Sequence, residues 1–135
     1  MFVTEMTIEH WTDRKPISRT VANPTIESIR QAISGLENGE SGIVFLAERA
    51  GSDACMIIGN AGSGLRIVNT TEDNRDFFSL VDVSRSSERV LLYLGGQDGD
   101  YPDRTRVPLA LALHAAEHYA RTGERTPELP WRSDY

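Results

Sequence analysis

The sequence predicts an α+β fold: a single mostly antiparallel sheet of about five or six strands, covered by two main helices. Three observations carry this. Apolar residues fall three or four apart between Ile26 and Leu36, change to short runs split by turn residues from Gly42, and return to helical spacing at Leu109. Links between the short runs are too brief for parallel crossovers, so neighbouring strands should run antiparallel. No internal repeat or linker divides the 135 residues, which read as one domain, 1–135, large enough for a core without staples.

Phe2 to Trp11 alternates loosely between apolar and polar and reads as an antiparallel strand, placed at an edge because one face is mixed. Asp13 to Ser18, with Pro16, reads as a connecting loop. In the first helix Asn23 is the expected cap and Pro24 fits just inside it. Ile26, Ile29, Ile33 and Leu36 then share one side, and Asn38-Gly39 is the expected stop. Burying each such aliphatic side chain contributes about 1.5–3 kcal/mol, so this helix should form against a sheet.

The expected strands are Ile43–Ala47, Cys55–Ile58, Leu65–Val68, Phe77–Val81 and Val90–Leu94. The last is a continuous apolar run, as in a strand covered on both faces. Gly51-Ser52-Asp53 and the stretch from Gly59 to Gly64 suit hairpin connections, and Ser84 to Ser87 a polar turn. The second helix carries Leu109, Ala112, Leu113, Ala116 and Ala120 on one face. Pro108 suits its first turn, and Gly123 its left-handed stop.

The formal net charge of −6 and pI near 5.0 argue against nucleic acid as a direct partner, because phosphate binding needs a basic face. The single cysteine, Cys55, rules out an internal disulfide and sits in an apolar run, as a buried structural thiol would. The N-terminus lacks the pattern of a signal peptide, and no run approaches the ~20 apolar residues of a membrane helix. The expected location is cytoplasmic, with no membrane partner.

Three motifs suggest chemistry and fall short of it. His114-Ala-Ala-Glu117-His118 has the spacing of a helical zinc site, but too little chain follows for the third ligand such enzymes draw from a later helix. Gly59, Gly62 and Gly64 resemble a phosphate loop, yet a strand pattern follows where a helix N-terminus is required. No nucleophile elbow accompanies His10, His114 and His118. No cofactor, resident metal or catalytic residue is expected.

Asp98, Asp100, Tyr101 and Asp103 form the densest acidic patch with an aromatic inside it. Asp98-Gly99 and Tyr101-Pro102 read as turns, which would project these side chains from a strand-to-helix connection. The patch reads either as a solvated polar loop or as a protein-binding surface, with Tyr101 as anchor and the carboxylates steering a basic partner. Glu72, Asp73 and Asp76, interrupted by Arg75, form a second acidic loop. Trp131, in Pro127-Glu128-Leu129-Pro130-Trp131, reads as a clasp folding back on its own domain, with a partner-facing role as the other reading.

The stretch Leu94-Gly95-Gly96-Gln97-Asp98-Gly99-Asp100-Tyr101-Pro102, the helix end from Ala115 to Gly123 and the tail Leu129-Pro130-Trp131 resemble the first of the numbered immunity-protein families of bacterial polymorphic toxin systems. Ala22-Asn23-Pro24-Thr25 echoes the same family at the first helix. Arg132 stands where that family usually has Glu. The resemblance implies structural roles for Gly95, Gly96, Pro102, Gly123, Leu129, Pro130 and Trp131. It also implies a non-enzymatic protein that binds and neutralises a cognate toxin domain, often a nucleic-acid deaminase. The alternative is a small α+β enzyme or ligand-binding domain with a pocket between sheet and helices, marked by convergent polar groups.

Overall fold

The helix-forming and strand-forming patterns both persist in the computed structural model, which describes residues 1–12, 15–36 and 41–133. In chain order the elements are β1 (Glu5–Thr12), β2 (Lys15–Ala22), α1 (Ile26–Ser34), β3 (Ser41–Ala47), β4 (Cys55–Asn60), β5 (Leu65–Thr71) and β6 (Phe77–Leu80). There follow β7 (Arg89–Leu94), β8 (Gln97–Pro102), a 3-10 turn (Asp103–Thr105), β9 (Val107–Pro108), α2 (Leu109–Thr122) and β10 (Trp131–Arg132). Eight strands form one antiparallel sheet in the order β10-β6-β5-β4-β3-β1-β2, with β9 pairing the start of β5. β7 and β8 form a separate two-stranded hairpin. The fold class is α+β, as expected, but the main sheet has more strands than five or six, and Val90–Leu94 is not one of them.

Strand alternation sorts the sheet into two faces. Ile8, Val44, Ile58 and Val68 stand side by side across β1, β3, β4 and β5, beside a second row of Met6, Leu46 and Met56. These join Ile29 and Ile33 of α1 and Ala112, Ala116 and Ala120 of α2 in one core. Both helices therefore lie on this face, tied to each other by Arg30–Glu117 at 3.1 Å. The core side chains occupy the space between sheet and helices, where an enzyme-like reading would put a pocket; beside Thr70 and Tyr119 a hollow of about 20 Å³ remains. The opposite face carries Ile43, Gly59 and Ile67 in one row and Phe45, Ile57, Asn69 and Ser79 in the next.

Three local expectations are corrected. Lys15–Ala22, expected in part as a loop, is an edge strand, and it displaces β1 to the interior of the sheet; Asp13 and Arg14 lie outside the described residues. β2 is exposed along nearly its whole length, so no apolar alternation marks it. The cap of α1 is Thr25 and not Asn23. Thr25 Oγ1 accepts from Ser28 N–H while Ser28 Oγ accepts from Thr25 N–H, a reciprocal box that satisfies two otherwise free donors. Asn23 instead takes a left-handed φ of 51° in the turn before it. α1 ends at Ser34, and the expected stop at Asn38-Gly39 lies outside the described residues.

Both helices end on tertiary partners. At α1 the fully buried Arg66 of β5 donates from Nε to the Ile33 carbonyl at 3.0 Å and from Nη2 to the Ser34 carbonyl at 3.3 Å. At α2 the amides of Phe2 and Val3 donate to the carbonyls of Arg121 and Ala120. Gly123 takes the expected left-handed turn, φ 73°, and a side chain there would strike the Phe2 ring. The tail returns as a short edge strand: Trp131 pairs Leu80, and its Nε1 donates to the Thr126 carbonyl at 3.0 Å. Leu129 and Trp131 are half-buried against the core.

Two stability predictions follow from these ends. Arg66→Ala removes charged hydrogen bonds to two helix-end carbonyls, each contributing about 1.5–3 kcal/mol, and should lower urea stability by about 3 kcal/mol or more. Arg66→Lys should recover less than half, because an ammonium lacks the planar fork. Trp131→Ala should cost about 2–3 kcal/mol, below the about 3–5 kcal/mol of a fully buried aromatic, because part of its surface stays exposed. Thermal unfolding of that variant checks it.

Candidate functional site

The acidic patch does not lie on a strand-to-helix loop. Leu94 and Gln97 close a two-residue hairpin over Gly95 and Gly96, with φ of 57° and 79°. Two positive φ values in succession match the right-handed twist of the flanking strands and favour glycine at both places. The chain from Gln97 to Pro102, rich in turn residues, is thereby held as β8 against β7. The hairpin lies on the sheet face away from the helices. Leu94 fits over Gly59, Gly95 over Ile43 and Gly96 over the Trp11 ring, so glycines let it approach closely.

As a strand, β8 sends alternate side chains to opposite sides and divides the four expected binding residues. Asp98 pairs Tyr93 and Asp100 pairs Leu91, and all four side chains are exposed. Tyr101 pairs Val90 on the other side, is half-buried, and folds its ring over Gly99. It therefore is not a fully exposed anchor. Asp103 begins the 3-10 turn, and its Oδ1 accepts from Arg85 and from Arg106, each at 3.0 Å. Arg106 Nε also donates to the Ala61 carbonyl in the β4–β5 turn. Asp103 thus ties the base of the hairpin to the sheet. The hydrogen bond from Arg85 and the nearby Arg106 hold its carboxyl below the ordinary 3.8.

Sequence reasoning missed Leu91 and Tyr93. They are 72% and 47% exposed, large apolar side chains next to Asp100 and Asp98 across the hairpin. The sign is present in the apolar run of β7, whose pattern in the sequence points to burial. Behind this outer surface is a cleft of about 250 Å³ between the hairpin and the sheet. Its walls include Ile67, Phe77 and Tyr101, and Asn69 and Ser79 meet within it, Ser79 Oγ donating to Asn69 Oδ1 at 2.6 Å. Arg89 and Asp100 also line it, with Arg89 Nε 3.5 Å from an Asp100 carboxylate oxygen.

The other motifs resolve into structure. In the H-x-x-E-H helix, Glu117 pairs with Arg30, and His114 lies 2.9 Å from Glu128 across to the tail. Among the described residues no three His, Cys, Asp or Glu side chains gather as metal ligands would. The Gly59–Gly64 stretch is the hairpin connection between β4 and β5. Cys55 is half-buried, and burial pushes its thiol pKa up, away from reactivity. In the second acidic loop, Asp73 accepts from the amides of Asp76 and Arg75, both at 2.9 Å, which lowers its pKa. Glu72 lies 3.6 Å from Arg125, whose guanidinium stacks 3.8 Å from the centre of the Phe78 ring. No described helix is long and apolar enough to cross a membrane.

Compared with known proteins, residues 19–133 match the family model described as Immunity protein Imm1. The match spans the hairpin, both helices and Trp131. No curated protein matches the chain.

The Asp103 clasp has a pH signature. Because its folded-state pKa is lowered, its contribution is complete above the unfolded value and is lost as pH falls through the folded one. Asp103→Asn should therefore reduce stability at neutral pH and narrow the difference between neutral and strongly acidic stability. Urea titrations at both pH values check this; parallel losses at each would disconnect Asp103 from the acid limb.

Proposed function

The chain belongs to the Imm1 immunity-protein family, and from that premise we propose that it neutralises a cognate toxin domain by stoichiometric binding through the outer surface of the β7–β8 hairpin, without catalysis. The observation that carries this reading is the pairing of exposed Leu91 and Tyr93 with Asp98 and Asp100 on one surface. Apolar area of this kind supplies affinity in a binding surface, and rim carboxylates select and speed the encounter. Leu91 and Tyr93 take no part in the chain's own core. Tyr101 and Asp103 serve the same surface from behind, one as a wall of the cleft and the other as a clasp at the hairpin base.

The partner is a protein with a basic surface. A toxin acting on nucleic acid, a deaminase among them, needs such a groove for phosphates, and an acidic protein complements it. The net charge of −6 supports a role without nucleic-acid contact by the immunity protein itself. The setting is the bacterial cytoplasm, where a toxin of this class would meet its substrate. An interface of ~1,200–2,000 Å² would place the hairpin at its centre and reach the neighbouring sheet face.

Co-expression with the toxin domain encoded beside this chain, followed by binding kinetics at two salt concentrations, tests the reading. Asp98→Asn with Asp100→Asn should slow association and flatten its salt dependence. Leu91→Ala with Tyr93→Ala should speed dissociation by ~10-fold or more, the effect of losing about 1.4 kcal/mol. Full protection and unchanged kinetics in both pairs would remove the hairpin from the interface.

A further inference from the structure

We infer that the cleft between the hairpin and the outer sheet face is a socket for one phenolic side chain, a tyrosine, supplied by the toxin partner; this rests on the reading of the hairpin as the toxin-facing surface. At about 250 Å³ the cleft falls below the ~300–1,000 Å³ usual for small-molecule sites and suits a single large side chain. Its walls are apolar and aromatic, from Ile67, Phe77 and Tyr101. Such walls favour a ring, by edge and offset contacts.

The polar groups decide which ring. Asn69 Oδ1 is occupied by the Ser79 hydroxyl, while the Asn69 NH2 donates to no partner among the described residues. That NH2 is reachable from the cleft and free to donate to an entering acceptor, which a phenol oxygen supplies and a phenylalanine ring does not. The charges at the cleft cancel, because Arg89 and Asp100 pair with one another. A guanidinium entering here would face Arg89, and a carboxylate would face Asp100. Arg89 and Asp100 belong to the strands that also present Leu91 and Tyr93, so a partner seated on the outer surface reaches the cleft without leaving the hairpin.

The test begins with side-chain mimics added to the full chain and followed by residue-resolved NMR. 4-Methylphenol should shift the Asn69 side-chain NH2 together with the amides of Ile67, Phe77 and Ser79, and should bind several-fold tighter than toluene. Ethylguanidinium should leave these signals in place. Asn69→Leu should abolish the preference for 4-methylphenol over toluene, and Phe77→Ala should weaken both. The wild-type measurement stands alone if either variant fails to fold. No shift at the cleft with 4-methylphenol, or no preference over toluene, overturns the socket.

The toxin domain then separates the socket from the surface it rests on. Asn69→Leu should weaken toxin binding by ~10-fold or more, the scale of a central aromatic contact. Binding lost in Leu91→Ala with Tyr93→Ala but intact in Asn69→Leu overturns the socket and leaves the hairpin reading. Binding intact in both overturns the two together.

Discussion

The arrangement depends on a buried cation. Arg66 lies wholly inside the protein and spends its guanidinium on the last carbonyls of α1 and on the Leu65 carbonyl of its own strand. A buried charge is costly unless hydrogen bonds replace its water, and helix-end carbonyls carry the partial negative charge that a cation compensates. The bond lets the helix end be buried and ties the end of α1 to β5. Once α1 is set there, α2 packs beside it, and the helices cover one face of the sheet. The other face is left for the hairpin.

That second face is built for a partial cover. Gly59 sits where a side chain would collide with Leu94, and Gly96 where one would collide with the Trp11 ring. The hairpin settles close at its tip. At its base, Arg85, Asp103 and Arg106 hold it through one carboxylate shared by two guanidinium groups. Between tip and base the small polar residues Asn69 and Ser79 do not fill the gap, and the cleft remains. The hairpin is thus held at both ends and open in the middle, with one surface outside and one beneath.

The fold was legible where burial imposes a period. Ile29 and Ile33, the paired rows of β3 to β5 and the alanine face of α2 each repeat as their element requires, and these residues form the core. β2 was not legible because almost none of its side chains are buried, so only hydrogen bonds to β1 define it. β7 was misplaced because Leu91 and Tyr93 make an apolar run of what is really an alternating strand. β8 reads as a loop in the sequence because Asp, Gly and Pro have low strand propensity alone; its partner overrides that. Asp98 and Asp100 stood out in the sequence by charge density. The cleft did not, since Ile67, Asn69, Phe77, Ser79 and Tyr101 meet only through sheet register.

The outer surface of the hairpin has a consequence for how such a protein changes over generations. Leu91, Tyr93, Asp98 and Asp100 are exposed, whereas the inward side chains and glycines carry the docking. Exchanges at exposed positions away from structural features usually alter stability by no more than ~0.5 kcal/mol. These four side chains can therefore change while the scaffold stays constant. If the hairpin is the toxin-facing surface, as proposed, a lineage facing a toxin with a rearranged surface can rewrite four positions on it and keep the Arg66 bond, the Asp103 clasp and the helix layer as they are.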